Sequence, residues 1–399
     1  MRLSVVLEQR FIHTADGATF DNGHATYTHW QRYLNTFEEV QVVGRSQLVQ
    51  VVPDGYRRVD GPAVTVLHVP YYQGPVGLLK RLPQVSAALL CGLEPQEAVI
   101  VRLSGVLGHL AAGLRYWQRQ PFAVEVVNDP FMGYGPDGTR HPLRPVFRWM
   151  LTALTRWQCR QAVAVQYVTR QALQRLYPTR HENVSFGVSD VHLPPEAFSG
   201  PRQYDRPARL AVLVGMLEQR HKAADIAIAA LAKLRGQGHD GQGHDLHLRI
   251  VGDGPLRSEL EAQAAALGIA PFVEFVGQRS TPAEVRGDLR EADLFLIPSR
   301  TEGMPRVLLE ALAQGLPAIG SDVGGIPELL DAAHLVKPGS VEDLARAWQA
   351  LALDTAALTR ESARNHHAAQ EYADHVLDGQ RTAFQRVVRL ATASRRVTA

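Results

Sequence analysis

Runs of β-branched and aliphatic residues recur along the chain, each closed by turn residues or by a segment of helix length. LSVVLEQ (3–9), EVQVV (39–43), AVTVLHV (63–69), EAVIVRL (97–103), FAVEVV (122–127) and AVAVQYV (162–168) form a first series. RLAVLVG (209–215), LHLRIVG (246–252), VEFVG (273–277), ADLFLIP (292–298), PAIGS (317–321) and AHLV (333–336) form a second, with helices expected near 222–235, 255–267, 282–291 and again at Pro305. Strands that alternate with helices predict parallel sheets with crossover connections, here two α/β domains. The stretch 194–208, PPEAFSGPRQYDRPA, is rich in Pro and polar residues and has no periodicity. It divides the two series. The expected organisation is an N-terminal domain over 1–195, a linker over 196–208, a second domain over 209–365, and a C-terminal helix within 366–399 that returns towards the first domain.

Composition narrows the classes. The chain has 399 residues, 45% apolar and 21% charged, which fits a globular protein of more than one core. A formal charge of +2 gives no global reason to expect a nucleic-acid partner. Locally, residues 138–180 hold Arg140, Arg144, Arg148, Arg156, Arg160, Arg170, Arg175 and Arg180 with no Asp or Glu. Such a segment is either a solvated basic helix pair or a face for phosphates or anionic headgroups, and peripheral membrane contact is kept as an expectation. Cys91 and Cys159 stand far apart, with neither disulfide-framework nor metal spacing, which suits a reducing cytoplasm. No apolar run reaches the length of a spanning helix. The tandem GQGHDGQGHD (236–245) carries His239, Asp240, His244 and Asp245, but glycine this dense reads as a flexible loop rather than a metal site.

The chemistry concentrates in TEGMPRVLLEALAQGLP (301–317), with one glutamate in a Gly/Pro turn and another on the helix that the turn opens. Pro305 suits a first helical position, and the N–H groups of Gly303 and Met304 in front of the helix dipole suit phosphate or sugar oxygens. A helical wheel puts Val307, Leu308, Ala311 and Leu312 on one face and Arg306, Glu310 and Gln314 on the other. Glu310 then either forms a surface pair with Arg306 or accepts the hydroxyls of a ribose, with Glu302 placed for hydroxyls of an attached sugar.

The segment SRTEGMPRVLLEALAQGLPAIGSDVGGIPELL (299–330), with its E-x7-E pair, resembles the donor-site signature of glycosyltransferase family 4. VGMLEQRHKAADIAIAAL (214–231), LRIVGDGP (248–255) and VEFVGQ (273–278) resemble that family's segments in order and spacing. YVTRQALQRLYP (167–178) and RLSGVLGHLA (102–111) look like a subgroup associated with cell-surface polysaccharide synthesis. The resemblance implies a GT-B fold, two Rossmann-like domains with parallel sheets facing across a cleft. It also implies retaining transfer from a nucleoside-diphosphate-sugar to a saccharide, lipid-linked or small-molecule acceptor, with no metal or other cofactor.

Site roles follow by matching position. Lys222 corresponds to the lysine that neutralises the donor diphosphate. The arginine usual at position 216 is Met216 here, and Arg220 either fills that gap or is a surface residue. Gly252, Asp253 and Gly254 shape the nucleotide side, and the backbone of Gln278 and Arg279 reads the base. Gly324 and Gly325 serve either a tight turn or a ligand. In the first domain, Gly17, beside Asp16, lies where backbone approaches the phosphates or is a plain turn. Asn128 and Asp129 end a strand where a sugar- or acceptor-contacting group is expected, although Asp129 before Pro130 is also a turn-starting residue. Arg102 and Ser104 are assigned to the acceptor side. Two other readings remain beside the transferase: a GT-B nucleotide-sugar epimerase, and a non-catalytic nucleotide-sugar-binding scaffold.

Overall fold

The computed structural model describes residues 1–23, 25–103, 105–135, 141–236 and 245–396. Ser104, Arg140 and the repeat's His239, Asp240 and His244 lie outside the described residues. The chain divides into two compact units, one of residues 1–130, 149–188 and 378–399, the other of residues 131–148 and 189–377.

The first unit holds β1 (Arg2–His13), β2 (Thr19–Asp21), β3 (Glu39–Leu48), β4 (Arg57–Arg58), β5 (Val64–Pro70), β6 (Ala98–Arg102), β7 (Ala123–Val126), β8 (Val165–Tyr167) and β9 (Ser185–Gly187). Helices α1 (Tyr27–Gln31), α2 (Gly74–Gly92) and α3 (Val106–Trp117) connect the earlier strands, and α4 (Pro130–Gly133), α5 (Arg144–Gln161) and α6 (Ala172–Leu176) follow, with α4 after Pro130 and α5 up to Arg148 counted in the second unit. The parallel order is β5-β3-β1-β6-β7-β8-β9, with β2 antiparallel on the end of β1 and β4 on β2. The β3 strand runs five residues past the apolar stretch read from sequence. Its continuation carries a buried Arg45 that donates to the Tyr72 and Glu8 carbonyls, so its charge is satisfied inside the sheet.

The second unit holds β10 (Leu210–Val214), α7 (Ala224–Gly236), β11 (His247–Val251), α8 (Arg257–Ala266), β12 (Val273–Gly277), α9 (Pro282–Glu291), β13 (Leu294–Ile297), α10 (Arg306–Ala313), β14 (Ala318–Ser321) and β15 (Leu335–Val336). Then come α11 (Val341–Leu353), α12 (Thr355–Gln370) and α13 (Asp374–Arg396). Its parallel order is β12-β11-β10-β13-β14-β15. Helix starts are encoded locally: Thr281 accepts from Glu284 N while Ser280 N donates to the Glu284 carboxylate, and Ser340 caps α11 by accepting from Asp343 N. Trp348 of α11 is fully buried in the core beneath β10, β11 and β13. From Asp378 onward, α13 belongs to the first unit, where Phe384 and Val388 join the core around Leu3, Val5 and Trp30. No described helix is long and apolar enough to cross a membrane.

The Pro-rich stretch 196–208 is not loose chain. Arg202 donates to the carbonyls of Gln314, Ala292 and Leu289, its own N–H donates to Ser362, and the Tyr204 hydroxyl reaches Asp293 O. Aperiodic sequence here reflects a strap whose contacts are polar and point specific. Arg202→Ala orphans three carbonyls at once, and should cost about 2–4 kcal/mol. Thermal unfolding should show the second unit's transition lowered by roughly 5–10 °C; an unshifted transition would mean the strap contributes nothing.

Candidate functional site

In the second unit the strand order reverses between β10 and β13, which is where open parallel sheets leave a crevice at their carboxyl ends. Three glycines shape its floor. Gly215 N donates to Val251 O at 2.9 Å, and Gly252 N to Gly277 O at 2.8 Å. Gly252 has φ +142°, and a Cβ on it would fall 2.0 Å from Gly215 O. A Cβ on Gly254 would fall 2.5 Å from the Leu217 carbonyl carbon. The loops after β10, β11 and β12 therefore close on one another through backbone alone.

Past Gly215 the chain makes a single turn through Arg220, His221 and Lys222, then places Ala223 in the left-handed region at φ 54°. That conformation is unusual for a residue with a Cβ, and it aims the turn back over β10. The Lys222 stem lies across Gly215, where a Cβ would meet Lys222 Cγ at 3.0 Å. Lys222 Nζ donates to Glu302 Oε1 at 2.6 Å, and Ser299 Oγ donates to the same oxygen at 2.7 Å. Lysine and glutamate side chains are 19% and 10% exposed, so this is a mostly buried pair joining the loops on either side of the reversal. Arg300 N donating to His221 O at 2.8 Å makes a second bridge between those loops.

The Glu302 loop is moulded from outside. Gly324, at φ +57°, lies so close that a Cβ would fall 2.2 Å from Glu302 O, and Gly325 N donates to Gly303 O at 2.6 Å. The two glycines do form a tight turn, and that turn is the template for the site loop. The Met304 side chain is buried against Gly325, whereas the N–H groups of Gly303 and Met304 donate to no group among the described residues. Pro305 is the residue before the helix rather than its first turn, with ψ 109°, and α10 has no side-chain cap.

Glu310 differs from the wheel reading. Arg306 is exposed, Glu310 is mostly buried and Gln314 is fully buried, because Ser199 and Arg290 reach the Gln314 amide and α12 packs on α10. The Glu310 carboxylate forms no hydrogen bond among the described residues, although its carbonyl accepts from Gln314 N. Burial raises its pKa above the ordinary glutamate value, partly offset by Arg306 and Arg286.

Around this centre, Arg220 donates to Glu259 and lies 3.6 Å from Asp225, so its guanidinium is held by acids of α7 and α8. Asp225 is also gripped by Arg300 through both oxygens. Asp253 accepts from Gly254 N and pairs with Arg257. The Arg279 guanidinium chelates the buried Asp288, and Gln278 beside it is exposed. His221, Ser299 and Arg300 were missed by sequence reasoning; their adjacency to Lys222 and Glu302 was the available signal. His221 Nδ1 is buried without a partner, and burial with Lys222 beside it lowers the pKa, keeping the ring neutral.

In the first unit Gly17, at φ +86°, completes a turn in which Asp16 accepts from Thr14 Oγ1 and Ala18 N. It borders an open depression of about 700 Å³ that also touches Thr19, Arg58 and Asp60. Asp129 accepts from the Tyr177 hydroxyl, whose pKa burial and that carboxylate push up, and Asn128 is exposed beside it. Arg102 lies 3.5 Å from the buried Glu125. Glu8 was not anticipated: its carboxylate accepts from Leu107 N at 2.7 Å and from the Tyr72 hydroxyl at 2.9 Å, so it occupies the start of α3.

The comparisons agree with this architecture. Residues 208–354 match the family model described as glycosyl transferases group 1. Protein CapJ of Staphylococcus aureus is 26% identical over 319 residues, covering 79% of this chain and 78% of that protein. The 2-deoxystreptamine glucosyltransferase of Streptomyces kanamyceticus is 26% identical over 294 residues, 67% and 71% of the two chains. Among solved structures, Anabaena HepE in complex with UDP and glucose superposes with TM-score 0.65 at 18% identity, over 96% of this chain and 98% of that one. Sucrose-phosphate synthase from Thermosynechococcus elongatus gives 0.70 at 17%, over 98% and 100%. The two parallel-sheet α/β units are those of the GT-B fold, and residues 208–354 are a group 1 glycosyltransferase domain.

Gly324→Ala tests the moulding of the Glu302 loop. The added methyl must push Glu302 O aside, so glycosyl transfer should fall by roughly a hundredfold while circular dichroism stays native. Activity within twofold of the parent would show that the loop does not need this template.

Proposed function

We propose that the chain is a retaining, nucleotide-sugar-dependent glycosyltransferase that transfers a sugar to an acceptor hydroxyl in exopolysaccharide or other glycoconjugate synthesis, on the cytoplasmic side of a membrane. The carrying observation is Glu310: a mostly buried carboxylate without a hydrogen-bond partner among the described residues, eight positions after a glutamate already paired with lysine. A protein keeps such a desolvated acid at a cost, which a ribose donating two hydroxyls would offset. HepE holding UDP and glucose supports a uridine diphosphate donor as the first to test.

In this reading the incoming diphosphate competes with Glu302 for Lys222, and the released Glu302 carboxylate turns to the hydroxyls of the transferred sugar. As the anomeric bond lengthens, negative charge gathers on the leaving diphosphate. Lys222, the free N–H groups of Gly303 and Met304 and the positive end of α10 are already in place to meet it. The acceptor attacks from the face the diphosphate leaves, which retains configuration. No metal or other cofactor is assigned a role. The Asp129–Tyr177 pair is placed on the acceptor side with Asn128 and Arg102, as a holder of an acceptor hydroxyl. Peripheral contact through residues 138–180 would bring the enzyme to a lipid-linked acceptor.

One observation favours the scaffold reading: Met216 stands where the resemblance to family 4 implies an arginine, and Arg220 is held by Glu259 and Asp225. Turnover decides between the two. Thermal-shift screening against UDP-, GDP-, ADP- and dTDP-sugars should raise Tm with one base class only, and release of the free diphosphate with a sugar acceptor should follow. Stabilisation with no transfer to any acceptor would favour the scaffold, and conversion of donor alone would favour the epimerase.

Two variants separate the roles. Lys222→Gln should lower kcat about a hundredfold with little change in donor KM. Glu310→Gln should raise donor KM roughly tenfold or more and leave kcat nearer the parent. Glu310→Gln should also raise Tm at neutral pH. Because the folded-state pKa is raised, ionising Glu310 destabilises the folded protein, a penalty absent below the ordinary glutamate pKa that grows as pH rises from there to the raised folded-state pKa and stays constant above it. Donor affinity should correspondingly weaken on acidification at a pH above the ordinary glutamate range. A variant with parental KM and parental Tm would remove Glu310 from the site.

A further inference from the structure

The depression in the first unit has no part in the transfer reading. It lies against β5, the edge strand of the sheet, and Val64 and Val66 at that strand's amino end form part of its wall. Strands β6 and β7, whose carboxyl ends carry Arg102 and Asp129, stand three and four strands away, so β6 is roughly 14 Å distant at ordinary strand spacing. Gly17 borders the opening, where a Cβ would meet nothing within 4 Å. Tyr27 closes another side. Its ring rests on Gly61, where a Cβ would fall 2.6 Å from Tyr27 Cε2, and its hydroxyl donates to Pro62 O at 3.1 Å. The Arg58 side chain, 61% exposed, donates through Nε and a terminal nitrogen to Asp60 Oδ2 at 3.3 and 3.0 Å. Asp60 Oδ1 in turn accepts from Thr19 N at 2.7 Å. Thr19 is 1% exposed, and its Oγ1 is buried without a partner among the described residues.

We propose that this depression is a saccharide-binding site that takes a neutral oligosaccharide. Its volume of about 700 Å³ lies in the range of small-molecule sites and exceeds a single sugar ring. A pyranose presents C–H groups on its faces and vicinal hydroxyls around its rim, and each hydroxyl both donates and accepts. Val64, Val66, Pro62 and the fixed Tyr27 ring supply apolar surface for the faces. Arg58 and Asp60 set a donor beside an acceptor in planar geometry, which fits two adjacent hydroxyls. The unpartnered Thr19 hydroxyl is a buried polar group of the kind that a ligand satisfies. Charge selects the class. Arg58 and Asp60 are the only charged residues that line the depression, and they neutralise each other, so neither a phosphate nor an amine finds a spare counter-charge. Away from the reacting ends, such a site would tether a glycan and raise its local concentration. That use rests on the transferase reading, whereas the binding does not.

The test uses the full chain without a donor, so its failure is distinct from failure of the transferase reading. Saturation-transfer NMR is recorded with maltotriose, cellotriose and triacetylchitotriose at millimolar concentrations, with trigalacturonic acid as the charged control. At least one neutral trisaccharide should bind, and neither the uronate, inorganic phosphate nor UDP should displace it. Arg58→Ala removes an exposed side chain and should keep the parental Tm. It should weaken binding at least tenfold, the loss expected for hydrogen bonds from a charged group. Gly17→Asn keeps a residue that tolerates the left-handed region, places a side chain in the opening and should abolish the signal. No response to any of the neutral trisaccharides would overturn the proposal, as would parental binding by either folded variant. Displacement by phosphate or the uronate would mark an anion site instead, and displacement by UDP would move the bound sugar to the donor crevice; either result sinks the inference.

Discussion

A lysine and a glutamate meeting where the strand order of the second unit reverses is the contact on which the rest of the site depends. Both are mostly buried, so either one alone would be an uncompensated charge in a low-dielectric place. Their pairing requires Lys222 to lie over Gly215, which only glycine permits without moving the lysine stem, and Ala223 to hold a left-handed turn. It requires the Glu302 loop to be pressed into shape by Gly324. Backbone approach at three separate loops thus serves one electrostatic contact. The pair also keeps both groups positioned in the absence of ligand.

The two units share one strand order at their centres yet treat the crevice differently. In the second, the N–H groups before α10 stay open. In the first, the start of α3 is filled by Glu8, for which Gly105 makes room, since a Cβ there would fall 2.2 Å from Glu8 Cγ. A helix start already satisfied by a carboxylate repels a phosphate. The same topology therefore leaves an unsatisfied helix start in the second unit and a filled one in the first.

Much of this was legible along the chain, and the limits have physical causes. Strands buried on both faces declare themselves as apolar runs, which is why the twelve long runs read from sequence all correspond to strands. β2, β4 and β9 span only two or three residues and are made by pairing, not by pattern. The E-x7-E spacing and the glycines after β10, β11 and β12 were visible because they are local. Arg45, Glu8 and Gln314 were not, since each is a polar residue whose burial depends on a partner far along the chain. The wheel assigned Gln314 to solvent because it cannot see the strap from Ser199 to Arg202 closing over that end of α10.

That closure explains why an eight-residue helix can carry function. At its carboxyl end Gln314 and Gly315 are held by Ser199, Arg290, Arg202 and Ser362, which over-determines the helix position. At its amino end there is no side-chain cap, only Pro305 and the unbonded N–H groups of Gly303 and Met304. A short helix left open at its positive end would fray if the other end were also loose. Anchoring one terminus lets the other remain unsatisfied, and an unsatisfied donor array held rigid is what a developing negative charge requires. Glu310 lies between the two ends, on the part of the helix that the strap immobilises, so its unpartnered carboxylate is held in position without being neutralised.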